Sequence, residues 1–182
     1  MPTSNDNVVA ASELDIPSMR LGLDKLEFQL ETRADVRTTA CTLAGQAQKE
    51  LLLHTEDLEP DIYDQQPFLD AVSNLARQHR DARFWILIQD GRRAVQEQHR
   101  LIELARRLSS HVQFRRPAPN YHNYHKTFLL ADTTGYLYRP LASRFEGIAD
   151  FNCPGEVAPL RNYFMEVWEH SEPDEEMRRL YL

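Results

Sequence analysis

The stretch YHNYHKTFLLAD, at residues 121–132, contains side chains whose types and spacing could support catalysis or ligand binding. His125 and Thr127 are two positions apart at the start of an apolar, strand-like run, which places both on one face of the strand, and Asp132 ends the run. A neutral imidazole can act as a nucleophile, and neighbouring polar side chains can hold a ligand. His125 is therefore the candidate catalytic residue, and Thr127 and Asp132 are candidate ligand-binding residues.

Three further residues could take part in such a site. Arg139 follows the apolar run closely and could supply a positive charge. Lys126 is next to His125, but strand alternation predicts that its side chain points to the opposite face, so that only a β-bulge would bring it back. Tyr124 belongs to a group of tyrosines and histidines before the strand, which could stack on a base or sugar. Arg139, Lys126 and Tyr124 are therefore added to the candidate ligand-binding residues.

The same residues also have structural explanations. His125 could be a structural histidine, or could line the remnant of a pocket. Asp132 begins an Asp-Thr-Thr-Gly stretch, in which aspartate is a favourable turn residue. The tyrosines and histidines could form the packed lip of a domain. From residue types alone, both the chemical and the structural interpretation of this stretch stay open.

The elements that must position these residues alternate between strands and helices. Apolar runs or alternating apolar residues predict strands near residues 26–30, 50–55, 82–89, 111–116, 125–131 and 135–140. Periodic apolar faces predict helices over residues 32–47, 67–76 and 93–110, and a last helix that Pro159 opens. This alternation predicts a three-layer α/β domain with a mostly parallel sheet, to which a final hairpin adds antiparallel strands.

The motif and the order of these elements together resemble the phospholipase D-like superfamily, from about residue 26 to residue 173. The family signature is His, any residue, Lys, four residues and Asp, which His125, Thr127 and Asp132 match with threonine in the place of Lys. The resemblance implies that one His attacks the phosphorus, that a second His from another motif copy protonates the leaving group, and that the Lys holds the phosphate. More closely, the chain resembles bacterial members in which the motif is degraded. The expected fold is a three-layer phospholipase D-like α/β domain with a mixed, mostly parallel sheet flanked by helices.

Three departures from the family pattern bear on the function. Thr127 brings no positive charge. Arg139-Pro140 stands where the family has Gly-Ser, and Ala142 stands where it has Asn. Only one copy of the motif is present, so an active enzyme would be a homodimer in which two copies of His125 meet.

These departures predict a non-catalytic domain that acts as a binding or interaction module and that could retain a phosphate-sized pocket. The alternative is a dimeric phosphodiesterase or nuclease that uses His125 as nucleophile, with Arg139 or Lys126 replacing the lost cation. A more distant alternative is an acetyltransferase, because RFEGIA at residues 144–149 matches a short pattern for binding coenzyme A. The DFNCPG that follows cannot open a helix directly, as a pyrophosphate site of that kind requires.

The charge distribution bears on the choice of partner. The net charge is −7, but residues 77–126 contain eleven Lys or Arg against four Asp or Glu. A basic patch could meet phosphates, or these arginines could cover solvated helix faces and pair with the acidic flanks, which is the interpretation we favour. The expected partner is a protein or a phosphate-containing ligand, and nucleic acid is an open but less favoured alternative.

The remaining signals concern organisation and location. The sequence predicts a polar tail at residues 1–22, one domain at residues 23–173 and a C-terminal tail at residues 174–182. No apolar run approaches the length of about 20 residues that spans a membrane, and the first residues lack the pattern of a secretory signal, so a cytoplasmic location is expected. No metal-binding cysteine spacing or glycine-rich phosphate loop occurs, and neither a metal nor a cofactor is predicted.

Overall fold

The apolar runs of the chain form one mixed sheet of nine strands in the computed structural model, which describes residues 8–178. The strands are β1 (Val9–Ala10), β2 (Phe28–Leu30), β3 (Glu50–Thr55), β4 (Arg83–Ile88), β5 (Val112–Arg116), β6 (Thr127–Ala131), β7 (Gly135–Arg139), β8 (Gly147–Asp150) and β9 (Glu172–Pro173). The helices are α1 (Arg33–Gln46), α2 (Pro60–Tyr63), α3 (Gln66–Gln78), α4 (Arg92–Gln96), α5 (Arg100–Arg107), α6 (Pro154–Glu169) and α7 (Glu175–Arg178). All six strands predicted from the apolar pattern are present.

The strands lie in the order β1-β2-β8-β7-β6-β3-β4-β5-β9. The neighbours β3, β4 and β5 are parallel, as are β1 and β2, while the other five described pairs are antiparallel. Helical crossovers join the parallel strands β3, β4 and β5, whereas β6, β7 and β8 follow one another through short connections that favour antiparallel pairing. The α/β class and the mixed sheet are confirmed. Only three of the eight described strand pairs are parallel, so the sheet is not mostly parallel as the sequence predicts.

Helices cover both faces of the sheet and produce three layers. Alternate residues of a strand point to opposite faces, so Leu53 of β3 contributes to the core under α1, α3 and α5. Leu52 faces the other way and packs in a smaller core with Phe128 of β6 and Phe164 of α6. The predicted three-layer arrangement is therefore confirmed. None of the helices described is long and apolar enough to cross a membrane.

The start of α1 shows how local sequence determines an element. The hydroxyl of Thr32 accepts a hydrogen bond from the backbone N–H of Asp35 at 3.1 Å, and the carboxylate of Asp35 accepts one from the backbone N–H of Thr32 at 2.8 Å. This reciprocal capping box satisfies two backbone donors that the first helical turn leaves unpaired. The helix accordingly begins where the sequence predicts it.

Three elements differ from the expectation. The helix predicted over residues 93–110 is divided into α4 and α5 at Gln98, whose φ of 53° lies in the left-handed region, and the side chain of His99 caps the start of α5. Helix α6 begins at Pro154, so that Pro159 lies inside the helix and does not open it. Residues 147–150 form β8, which pairs with β2 and β7, where the sequence predicts an irregular segment. This strand is too short to show an apolar period, and its partners are distant in sequence. The last three residues of RFEGIA belong to β8, and α6 begins only at Pro154, so no helix opens directly after the pattern as the pyrophosphate site of an acetyltransferase requires.

The predicted tails are partly packed into the domain. Strand β1 pairs with β2, and Ala11, Ile16 and Met19 are buried in the core, so the boundary predicted at residue 23 is not the edge of the packed chain. No apolar period marks this stretch, and its burial depends on partners that the folded sheet supplies. At the other end, Met177 of α7 is buried, so the segment after residue 173 also packs. The predicted tail residues 1–7 and 179–182 lie outside the described residues.

Candidate functional site

Strand β6 separates the two ends of the motif. His125 is exposed just before the strand, Thr127 is its first residue and fully buried, and Asp132 follows its last residue. With a rise of about 3.3 Å per residue, His125 and Asp132 are roughly 20 Å apart. The structure therefore brings His125 and Thr127 to one edge of the sheet and places Asp132 at the opposite edge.

Asp132 connects the end of β6 to the beginning of β3. Its carboxylate accepts hydrogen bonds from the backbone N–H groups of Gln48, Lys49 and Glu50 at 2.8–3.2 Å. Its own N–H donates to the carbonyl oxygen of Glu50 at 2.9 Å. Its φ of 51° lies in the left-handed region, which aspartate tolerates better than most residues. In this structure Asp132 is a turn residue that holds two strands together.

Replacement of Asp132 by alanine is expected to lower the free energy of unfolding by about 2–3 kcal/mol, because three backbone donors lose a charged acceptor. Urea unfolding of the variant beside the wild type measures the change. Thr133→Ala, at the exposed neighbouring position, is the control and should change stability by less than about 0.5 kcal/mol. An Asp132→Ala protein as stable as the wild type would contradict this structural role.

Thr127, at the position of the family's cationic residue, lies among neutral buried hydroxyls. The register of β6 with β7 places Thr127 opposite Arg139, and the register of β3 with β6, extended by one residue, places it opposite Thr55. The hydroxyl oxygens of Thr55 and Thr127 are buried and make no hydrogen bond to a described residue, and the same holds for Tyr63 of α2. The motif's cation position is thus neutral.

Arg139 lies beside Thr127, but its guanidinium already has partners. The side chain is 0% exposed and forms a bidentate ion pair with the carboxylate of Glu59, at 2.6 and 3.0 Å. Its remaining hydrogen bonds go to the carbonyl oxygens of Ala142 and Arg144, at 2.6 and 2.7 Å. The guanidinium also lies over the ring of Phe145, 5.2 Å from its centroid. Arg139 therefore lies beside Thr127, with its charge neutralised by a residue 80 positions away.

Lys126 and Tyr124 lie on the opposite face of the sheet from Thr127. The ammonium of Lys126 is 5.4 Å from the ring centroid of Tyr124 and 5.9 Å from that of Tyr138. Tyr124 in turn stacks on Tyr163 of α6, with ring centroids 4.2 Å apart. Burial raises the pKa of Tyr124 to about 12, so its hydroxyl stays neutral. Lys126 points away from the threonine face, as strand alternation predicts.

A buried histidine that sequence reasoning did not single out lies behind this aromatic group. His54, near the end of β3, is 0% exposed and its Nδ1 is 2.9 Å from the carbonyl oxygen of Lys126, to which it donates. Its Nε2 has no hydrogen-bond partner among the described residues. Burial lowers the pKa of His54 to about 4. Its position in the continuous run ELLLHT was the available signal, since every residue of such a strand is expected to be buried.

Arginines from the basic middle of the chain have local partners. Arg92, Arg93 and Arg116 bind carboxylates, in the pairs Arg92–Asp90, Arg93–Asp57, Arg93–Glu97 and Arg116–Asp174. Arg115 lies over the ring of Trp168, 4.6 Å from its centroid. Much of the positive charge counted in the sequence is therefore balanced within the fold, as the favoured interpretation of the charge distribution expects.

The charges near His125 determine which chemistry this part of the fold can support. An exposed imidazole lies at the end of a strand whose buried face offers a neutral hydroxyl and a cation that is already paired. Stabilising the charge of a phosphoryl transition state requires donors or cations aimed at it, and neither Thr127 nor Arg139 presents an unpaired positive charge. Within residues 8–178, no group of three or more His, Cys, Asp or Glu side chains is arranged to hold a metal ion.

Comparisons with known sequences identify a family and no curated relative. The family model described as "Domain of unknown function (DUF7931)" matches residues 32–180. No curated protein sequence matches the chain.

Comparisons with solved structures identify the fold. The archaeal chromatin protein TrmBL2, described as showing a novel mode of DNA binding, has a TM-score of 0.60 at 14% identity over 86% of this chain and 56% of its own. Phosphatidylserine synthase from Haemophilus influenzae has a TM-score of 0.58 at 14% identity, over 88% of this chain and 43% of its own. Nuc from Salmonella typhimurium, a phospholipase D family member, has a TM-score of 0.52 at 12% identity, over 76% of this chain and 90% of its own. The chain therefore has a phospholipase D-like fold, and it spans about half the length of the first two of these proteins.

Proposed function

We propose that this chain, which belongs to the DUF7931 family, uses a phospholipase D-like fold to bind a partner and does not hydrolyse phosphodiesters. The observation that carries the proposal is the buried ion pair of Arg139 and Glu59 beside Thr127. It occupies the part of the fold where the family motif would place a free cation, and it leaves that region with no net charge.

The physical argument concerns the cost of releasing Arg139. Its guanidinium is fully buried and has four hydrogen bonds to Glu59 and two backbone carbonyls. A phosphate could use this charge only by displacing the Glu59 carboxylate, so it would have to compete with a bidentate ion pair that the fold already holds in place. Thr127 could still donate one hydrogen bond, so a remnant phosphate pocket is compatible with this proposal, whereas efficient phosphoryl transfer is not supported.

The surface proposed for binding lies on the α6 side of the motif. Lys126, Tyr124 and Tyr138 form a cation–aromatic group that is at least partly exposed, with exposed His125 at its edge. Such a surface suits a protein or a phosphate-containing ligand, because aromatic rings supply contact area and Lys126 supplies one charge. Nucleic acid is the less favoured partner, since long basic tracks are needed to follow a backbone and the arginines described above have local partners. Nucleic acid stays an alternative because TrmBL2, a structural neighbour of this chain, is a DNA-binding protein.

We also propose a cytoplasmic location and a single phospholipase D-like domain. A homodimer that brings two copies of His125 together belongs to the enzyme alternative. The molar mass of the protein in solution tests this alternative, because the dimeric phosphodiesterase requires twice the mass of one chain.

Phosphodiesterase activity on bis(p-nitrophenyl) phosphate and on single-stranded DNA is expected to be equally low for the wild type and for His125→Ala. The reason is that the candidate nucleophile has no charged partner to stabilise the transition state. Both proteins are purified in parallel so that a contaminating nuclease contributes equally. Activity present in the wild type and lost in His125→Ala would overturn the proposal and favour the dimeric phosphodiesterase.

A further inference from the structure

A second polar site lies at the opposite edge of the sheet from His125. An open cleft of about 690 Å³ is formed where β3 and β4 begin, next to the turn after β6 and to α6. The cleft, which we call the Glu50 cleft, is lined by Lys49, Glu50, Arg80, Arg83, Asp132 and Arg161, among other residues. It is therefore separated from the candidate catalytic histidine by the length of β6.

A buried carboxylate holds two arginines at the base of this cleft. Glu50 is 6% exposed, and it accepts hydrogen bonds from Nε and Nη2 of Arg83 at 3.1 and 2.7 Å. It also accepts hydrogen bonds from Nε and Nη2 of Arg161 at 2.5 and 3.2 Å. Burial opposes the ionisation of Glu50, but the two guanidinium groups hold its pKa below the ordinary value. The single carboxylate of Glu50 thus pairs with two guanidinium groups, which leaves one positive charge in excess.

The two guanidinium groups are fixed in place and retain donors. Arg83 lies over the ring of Trp85 at 4.1 Å, and Trp85 stacks on Trp168 with ring centroids 4.5 Å apart. The Nη1 atoms of Arg83 and Arg161 make no hydrogen bond to another described residue. Both side chains are 31% exposed. Because packing and Glu50 already restrict these side chains, a ligand would not have to order them on binding.

The charges around the cleft favour an anion. Lys49 and Arg80 are exposed at its rim. Of the acidic residues, Glu50 is bound by the two arginines, and Asp132 is occupied by backbone N–H groups. Asp81, also exposed at the rim, is the remaining negative charge. The cleft therefore has an excess of cationic donors over available carboxylates.

We propose that the Glu50 cleft binds a small molecule through a phosphate group. The Nη1 groups of Arg83 and Arg161 hold this phosphate, together with the side chains of Lys49 and Arg80. Planar guanidinium groups match the oxygens of a tetrahedral oxyanion, and lysine adds a point charge. The cleft has the size of a small-molecule site, which leaves room for an organic group attached to the phosphate. This inference does not depend on the function proposed for the His125 edge.

The test measures binding of inorganic phosphate and of phenyl phosphate by isothermal calorimetry, at constant ionic strength set with chloride. The double variant Lys49→Gln/Arg80→Gln removes two exposed charges from the cleft, so its fold should be preserved. Arg92→Gln/Arg93→Gln removes two exposed arginines elsewhere and changes the net charge by the same amount. We expect binding about tenfold weaker for the cleft variant and unchanged for the matched control. Phenyl phosphate should bind more tightly than inorganic phosphate if the cleft also accommodates the organic group.

Several outcomes would overturn the inference. Equal affinity in the wild type and the cleft variant would show that the cleft does not hold the anion. Equal weakening in both double variants would show that binding reports net charge alone. A loss of binding in His125→Ala, with the cleft variant unaffected, would place the anion at the other edge of the sheet. No phosphate binding by the wild type would also refute the proposal, while leaving the function proposed for the His125 edge untouched.

Discussion

Replacement of Glu59 by alanine is expected to lower the free energy of unfolding by about 3–5 kcal/mol. The variant leaves the guanidinium of Arg139 without its carboxylate partner in a position that is 0% exposed. The carbonyl oxygens of Ala142 and Arg144 would still accept hydrogen bonds, but they carry no full negative charge to balance the buried cation. Urea unfolding at pH 7, followed by circular dichroism, gives the change directly.

The matched control for this variant lies two residues later, in the short helix α2 that Glu59 immediately precedes. Asp61 of α2 pairs with Arg33, and the two side chains are 56% and 52% exposed. Water screens such a pair, so Asp61→Ala is expected to cost less than about 1 kcal/mol. Similar losses for Glu59→Ala and Asp61→Ala would mean that the Arg139 pair is not the buried interaction described here. That result would also remove the main support for a non-catalytic function.

Acidification from pH 6.5 to pH 4 is expected to remove about 3 kcal/mol of stability through His54 alone. Burial lowers the pKa of His54 from 6.5 to about 4, so the folded protein keeps this imidazole neutral in a range where the unfolded chain binds a proton. The unfolded state therefore binds more protons than the native state. The contribution of His54 is fully present above pH 6.5 and is lost as the pH falls toward 4.

The variant His54→Phe isolates this contribution. Phenylalanine can keep the contacts with Phe128 and Tyr124 but cannot titrate. His99 is a second buried histidine whose pKa burial lowers to about 4, so the variant should lose about half of the pH dependence. The measurement is the free energy of unfolding at pH 7 and pH 5 for both proteins. An identical change between the two pH values in the wild type and in His54→Phe would contradict the prediction.

Much of the fold was predictable because its signals are local. The run that became β3 contains three consecutive leucines, and the run that became β4 is apolar at five of six positions. The reciprocal bonds of Thr32 and Asp35 span only three residues. Asp132-Thr-Thr-Gly135 is a hairpin turn between β6 and β7, as its length and residue types predict. Strand alternation also predicted that Lys126 lies on the other face from Thr127. In each case the relevant interactions are made by neighbours in the chain.

The role of each motif residue depended on the tertiary structure. The sequence determined that a histidine, a threonine and an aspartate occur with the spacing of a catalytic signature, and that the signature lacks its cation. Only the fold decided that Asp132 binds the backbone at the start of β3, more than 80 residues earlier. Only the fold decided that Arg139 is neutralised by Glu59. Residue type sets the charge that a side chain carries, whereas its partner and its burial come from chain segments that are distant in sequence, and these determine whether that charge is available to a ligand.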